Sequence, residues 1–147
     1  MTLALGLHGG CGTLERSLMS EEAWAQSRAD MGAALAAGWA ILAAGGRAVD
    51  AVEAVVVALE NSPHFNAGYG AALNEDGRHE LDASIMDGAT LEAGAVCATT
   101  RIRNPIRAAR KVMESGRAVL LTSAAADDFA AAQGLDMVAP DYFTTQR

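Results

Sequence analysis

Apolar and polar positions along this chain change period several times. From Thr2 to His8, Leu3, Leu5 and Leu7 alternate with Ala4 and Gly6. Alternation with period two predicts a strand, and the small residues between the leucines predict that both its faces are covered. It runs into His8-Gly9-Gly10-Cys11-Gly12, where clustered glycines mark a tight loop. Ser20 then stands as an N-cap, with Glu21 and Glu22 in the first helical turn, where the helix dipole favours acids. Met31, Leu35, Trp39 and Leu42 recur at helical spacing until Gly45-Gly46 stops that helix. A second helix is predicted from near Asp50 to Glu60, with Val49, Val52, Val55, Val56 and Leu59 on one side. Pro63 prevents its simple continuation.

The segment Asn61 to Gly70, NSPHFNAGYG, is dense in turn residues, and Asn74 to Gly77 reads as another turn. Glu80 to Met86 and Leu91 to Thr99 read as strands flanking an Asp87-Gly88 turn, a hairpin signal. Asn104-Pro105 places an N-cap before a proline at the first helical position. That helix carries Ile106, Ala109 and Met113 towards Gly116. Val119 to Thr122 is a short apolar strand; Ser123 caps a last helix that runs through Phe129 to Gln133 and ends at Gly134. The predicted order is β-α-α-β-β-α-β-α, an α+β arrangement with helices layered on a mostly antiparallel or mixed sheet. After Gly134 the chain trails off with no closing element, and four strand candidates make a small sheet for so much apolar sequence. Both features predict that a partner segment completes the fold.

Composition narrows the function. Of 147 residues, 51% are apolar and 20% charged, which excludes disorder as the main state. The net charge is −7, with no stripe of arginines, so nucleic acid is not an expected partner. Cys11 and Cys97 are far apart, with no CxxC; they are expected as small buried apolar residues, not as a disulfide or zinc framework. No apolar run reaches the ~18 residues of a membrane span. The start lacks the basic region of a signal peptide, so a cytoplasmic setting is the default expectation.

No self-contained active site is visible. His8, His64 and His79 lack metal-ligand spacing, and there is no nucleophile elbow, P-loop or dinucleotide fingerprint. Cys11 lies near His8, but sequence neighbours seldom face each other as a catalytic pair. The glycine loop after the first strand either leaves backbone N–H groups free for an oxyanion or is a tight turn alone. Asn66, a polar side chain among small residues, offers both donor and acceptor to an amide, or else stabilises its own turn. If the carbonyls of its loop turn inward, they suit a hard cation. Asp82 and Asp87 are separated by five positions, hence on opposite faces of a strand; Asp87 is explained by its turn, and a structural role is favoured for Asp82.

HGGCGT at 8–13, GGRAVDAVEAVVVALENSPHFNAGYGAALNEDGRHELDASIMDG at 45–88, AGAV at 93–96 and NPIRAARKVM at 104–113 together resemble the plant-type asparaginases, also called isoaspartyl aminopeptidases. The likeness runs to about Phe143, and glycosylasparaginase and taspase share less of it. The resemblance implies a four-layer αββα sandwich of the N-terminal-nucleophile hydrolase type. A precursor cleaves itself, and the new N-terminal Thr opens the β subunit and attacks a side-chain amide or isopeptide carbonyl. The family's Thr-Val-Gly is absent here, and Thr144 and Thr145 fall where the family has an ordinary tail. Residues 1–147 therefore resemble the α subunit, one part of a single domain that a separate β subunit completes. The resemblance further implies an (αβ)2 heterotetramer, no catalytic cofactor, and asparagine or a β-aspartyl dipeptide as substrate; a glycosylasparaginase-like hydrolase or a non-catalytic binding module are the rival readings. By the same resemblance, Asn66 helps fix the nucleophile, and Gly9 and Gly10 form the loop beside it. Main-chain oxygens of Leu59, Glu60, Ser62, Phe65, Ala67 and Tyr69 hold a structural sodium ion. The substrate-holding Arg, Asp and Gly of the family belong to the β subunit.

Overall fold

The structure, a computed structural model, describes residues 2–10, 17 and 19–145. Cys11 and Gly12 of the glycine loop, and Gln146 and Arg147 of the tail, lie outside the described residues. Among the described residues, four α-helices and three strands follow in the order α1 (Glu21–Ala43), α2 (Ala48–Glu60), β1 (Leu81–Met86), β2 (Ala93–Thr99), α3 (Pro105–Ser115), β3 (Leu120–Thr122) and α4 (Ser123–Ala132).

Helix α1 begins as its sequence predicts: Ser20 Oγ accepts from the Ala23 amide at 3.1 Å. Its buried stripe is not the predicted one. Ala34, Gly38 and Leu42 are buried, whereas Leu35 and Trp39 are 39% and 46% exposed. Small residues let α1 lie close against α2: a Cβ on Gly38 would stand 2.4 Å from Val55 Cγ2. No bulky side chain fits there, so the large apolar ones turn outward. On α2, Val49, Val55 and Leu59 are buried as expected, but Val52 is 41% exposed.

The sheet is mixed, in the order β1-β2-β3. β1 and β2 are antiparallel, pairing Ala83 with Val96 and Met86 with Ala93. β2 and β3 are parallel, pairing Val96 with Leu121, because α3 crosses between them. The Asp87-Gly88 turn is looser than a two-residue hairpin. The Asp87 amide donates to the Glu92 carbonyl at 2.9 Å, and Leu91 takes a positive φ. The segment 2–8 is not a strand and takes no place in the sheet. Its alternation survives as half-burial of Leu5 and Leu7, which pack on a cluster of Ala34, Val55, Leu59 and Phe65. Period two made the segment extended, but a ladder also needs a neighbouring edge, and α1 and α2 offer side chains instead.

One face of the sheet is covered. Ile85, Ile106, Ala109 and Met113 form a core with Val49 of α2, and Val96, Val112, Ala126 and Ala130 form another with α4. Gly94 sets the distance of α3 from the sheet, since a Cβ there would lie 2.2 Å from the Ala109 carbonyl oxygen and 2.3 Å from the Met113 nitrogen. The opposite face carries Asp82, Ser84, Met86, Leu120 and Thr122, all exposed, and half-buried Cys97. The expectation that Cys97 is buried fails because its strand position points to this uncovered face.

The tail does close. Pro140–Phe143 forms a 3-10 turn. Phe143 is fully buried with Ala71 and Leu81 and packs edge-to-face on Tyr142 at 5.3 Å. Full burial of such a ring stabilises by roughly 1.5–3 kcal/mol, enough to fix the tail without regular structure of its own.

Candidate functional site

Three chain segments converge around Phe65. Gly9 lies against α1 and the 61–70 loop: a Cβ on it would meet Met31 Sδ at 2.9 Å and Phe65 Cε1 at 3.0 Å. Glycine at this position is what allows the two loops to touch. Gly10 follows with φ of 135°, a conformation natural to glycine, and its amide reaches His8 Nδ1 at 3.4 Å. Next to buried Phe65, Asn66 is exposed. Its carboxamide makes no hydrogen bond to another described residue, and an exposed amide offers both donors and an acceptor.

The 61–70 loop is drawn shut by its backbone. The Tyr69 amide donates to the Glu60 carbonyl at 2.7 Å, and the Gly70 amide donates to the Phe143 carbonyl at 2.9 Å. A Cβ on Gly68 would lie 2.5 Å from the Glu60 carbonyl oxygen, and one on Gly70 would lie 3.0 Å from the oxygens of both Pro63 and Phe65. Glycine at 68 and 70 is thus what lets these main-chain oxygens lie close against the loop backbone, and main-chain oxygens are the donor type that suits a hard cation. Two of the six oxygens singled out by resemblance, those of Leu59 and Glu60, already accept loop hydrogen bonds from Ser62 and Tyr69, each with a lone pair to spare. No cluster of three or more His, Cys, Asp or Glu side chains suited to a metal exists among the described residues.

Side chains that the sequence did not single out anchor this loop. Glu60 is 2% exposed, and its Oε1 accepts from the Ile106 amide at 2.9 Å. It thus caps α3, the task expected of Asn104, whose side chain instead donates to Asn61 Oδ1 at 3.3 Å. A carboxyl oxygen of Glu60, brought in from the end of α2, takes the Ile106 amide in place of the Asn104 side chain. Burial pushes the Glu60 carboxyl up to about 8 against the opposing pull of the Ile106 amide. Asp30 on α1 accepts from Ser62 Oγ at 2.5 Å and shares a 2.7 Å contact with His64 Nδ1. Those two hydrogen bonds, Ser62 first, hold its carboxyl below the ordinary carboxylate range. Beside them opens a cavity of roughly 410 Å³ lined in part by Gln26, Asn61 and His64. A signal for both anchors was present: acids among apolar neighbours need partners.

The remaining polar candidates are structural. Asp82 Oδ1 accepts from the Ala98 amide at 2.8 Å. The register slips between Leu81 and Ala83 and Ala98 has φ of 52°, so the aspartate satisfies an amide that a bulge removed from the ladder. Its proximity pushes the Cys97 thiol up. Asp87 binds the Ala89 amide at 2.9 Å and Arg47 at 2.7 Å. Thr144 Oγ1 contacts His79 Nε2 at 3.0 Å, which ties the tail to the segment that leads into β1.

The asparaginase profile Asparaginase_2 matches residues 1–147. An isoaspartyl peptidase of Salmonella typhimurium is 43% identical over 141 residues, covering 96% of this chain and 45% of that protein. A human isoaspartyl peptidase/L-asparaginase is 53% identical over 110 residues, covering 75% of this chain and 36% of that protein. A Xenopus laevis protein of the same description is 45% identical over 141 residues, covering 96% and 44%. The chain spans less than half the length of these relatives.

Proposed function

The chain belongs to the Asparaginase_2 family, and from that premise we propose that it is the α subunit of a self-processed amidohydrolase acting on L-asparagine, β-aspartyl dipeptides or both. The observation that carries this reading is the exposed Asn66, which follows Phe65, the ring that Gly9 approaches, on a loop closed by backbone contacts. The uncovered sheet face supports the subunit assignment. Ser84, Met86 and Leu120 are exposed there, and a second sheet laid on them would give the four-layer αββα sandwich.

In this reading the β subunit brings an N-terminal Thr next to Asn66. The hydroxyl of that Thr attacks the side-chain carbonyl carbon while its own α-amine takes the proton. The C–N bond breaks, and ammonia or an amino acid leaves with that proton. Water then hydrolyses the ester to release aspartate. Asn66 donates to and accepts from the groups that fix the nucleophile, and Gly9 and Gly10 let the loop approach closely. The main-chain oxygens of Leu59, Glu60, Ser62, Phe65, Ala67 and Tyr69 would hold sodium, which supplies rigidity and no chemistry. Two such αβ pairs form the assembly, with a cytoplasmic setting.

The test is an intact mass spectrum of the full-length protein under denaturing conditions, with assays for ammonia from asparagine and for aspartate from a β-aspartyl dipeptide. The expected result is two chains, one beginning with Thr, and turnover of at least one substrate. A single uncleaved chain without turnover overturns the proposal.

A further inference from the structure

Asp30 is the meeting point of three side chains on the flank of α1. Its Oδ2 accepts from Ser62 Oγ at 2.5 Å and faces His64 Nδ1 at 2.7 Å, and its Oδ1 accepts from Gln26 Nε2 at 3.0 Å. An ionised carboxylate only accepts, so His64 carries its proton on Nδ1. Ser62 Oγ in turn accepts from the His64 amide at 3.1 Å, which closes the cluster on itself. Gln26 stands one turn before Asp30 and braces the carboxylate on its own helix.

The cluster sits directly before Asn66. Ser62 and His64 lie four and two residues upstream of it. Met31, the next residue of α1, presses with Gly9 on Phe65, whose ring belongs to the residue adjoining Asn66. Two consecutive residues of one helix thus grip the loop at two points, Asp30 through hydrogen bonds and Met31 through packing. The side chains of Asp30 and His64 are only 23% and 27% exposed, so the bonds are partly shielded from competing water. Apart from Phe65 the loop has little regular structure to hold it, and such a segment opens more readily when an anchor is lost.

The geometry points to Asp30 as a positioning residue for Asn66, acting through Ser62 and His64 as a clamp between α1 and the 61–70 loop. The clamp rests on the proposed hydrolase reading for its kinetic consequence but not for its effect on the loop, and the two are read separately.

The experiment uses the full-length enzyme with Asp30→Leu and Asp30→Asn. Asp30→Leu is expected to lower kcat by about tenfold to a hundredfold, as displacement of a catalytic group does, with KM within about twofold of wild type, the split of a lost positioning contact. Amide exchange over residues 62–70 should quicken while β2 stays protected. Asp30→Asn keeps one oxygen for Ser62 and His64 and should recover most of kcat. Where Asp30→Leu does not fold, His64→Leu asks the same question at a more exposed side chain. Unchanged exchange over 62–70, or an Asp30→Asn enzyme as impaired as Asp30→Leu, overturns the inference. Faster loop exchange in a protein whose wild type turns over neither substrate upholds the clamp and overturns the proposed function instead.

Discussion

The sheet with α3, and the 61–70 loop with the end of α2 that leads into it, are built on opposite principles. The sheet half is held by a backbone ladder and by apolar side chains in direct contact, with Gly94 leaving no slack between β2 and α3. Beyond the single buried ring of Phe65, the loop is held by a handful of polar anchors from distant parts of the chain: Asp30 from α1, the Ile106 amide on Glu60, and the Phe143 carbonyl on Gly70. Close-packed interiors tolerate little change in volume, whereas a loop on discrete anchors can shift by one contact at a time. The difference teaches where substitutions unfold this protein and where they disturb only its chemistry.

The largest effect belongs to the sheet. Gly94→Val would drive carbon atoms into the Ala109 oxygen and Met113 nitrogen, backbone atoms that cannot rotate away. Overpacking of this kind costs about 3 kcal/mol or more, a large part of an ordinary domain's stability. No cooperative thermal transition by circular dichroism is expected. A Gly94→Val protein that melts like wild type would show that the sheet half has slack after all.

Asn66→Ala marks the other pole. The side chain is exposed and makes no hydrogen bond among the described residues, so stability should change by no more than about 0.5 kcal/mol. In the proposed hydrolase, loss of a group that fixes the reacting atoms should lower kcat by about a hundredfold or more. Calorimetry beside steady-state assays separates the two. A marked fall in the melting temperature would mean that Asn66 serves its own turn.

Between them stands Glu60, which belongs to both regions. Glu60→Ala removes the side chain that accepts from the Ile106 amide and leaves space in a filled interior. Loss of a helix cap together with a buried acceptor costs about 2 kcal/mol. Glu60→Gln keeps an acceptor of the same shape and should cost less than half of that, as read by chemical denaturation. Equal losses in the two variants would remove the cap from the explanation and leave only volume.

How much of this was legible follows from the same contrast. Most elements of the sheet half were readable, because strand alternation and the Asn104-Pro105 start are local signals. The tail was not, since Phe143 is ordered by distant Ala71 and Leu81. The buried stripe of α1 was misread through its large residues, because helix contact here favours small ones. The 2–8 segment gave its extended form but not its lack of a partner strand. In the candidate site, Gly9, Gly10 and Asn66 were nameable by resemblance. The anchors' partners were not: an acid that needs a partner can be noticed, but a glutamic acid that caps a helix 46 residues away, or an aspartate that binds a serine 32 residues on, leaves no periodic trace of which partner it takes.

Asp87 gives the smallest and sharpest test, since it sits on the β1–β2 connection, outside both regions. The Ala89 amide, and then Arg47, hold its carboxyl below its ordinary value of 3.8. A carboxyl whose pKa falls on folding gives stability that is present above the unfolded value and lost as pH drops through the folded one. Its partner Arg47 is 62% exposed, so the contribution is screened and modest. Asp87→Asn can keep the Ala89 contact through its amide oxygen but has no charge to lose. Melting temperatures followed from about pH 5 down to about pH 3 should therefore fall less steeply in the variant than in wild type, with the two curves closing at the acid end. Parallel curves over that range would mean that Asp87 contributes shape alone, and that the connection, like the sheet it joins, is held by its backbone.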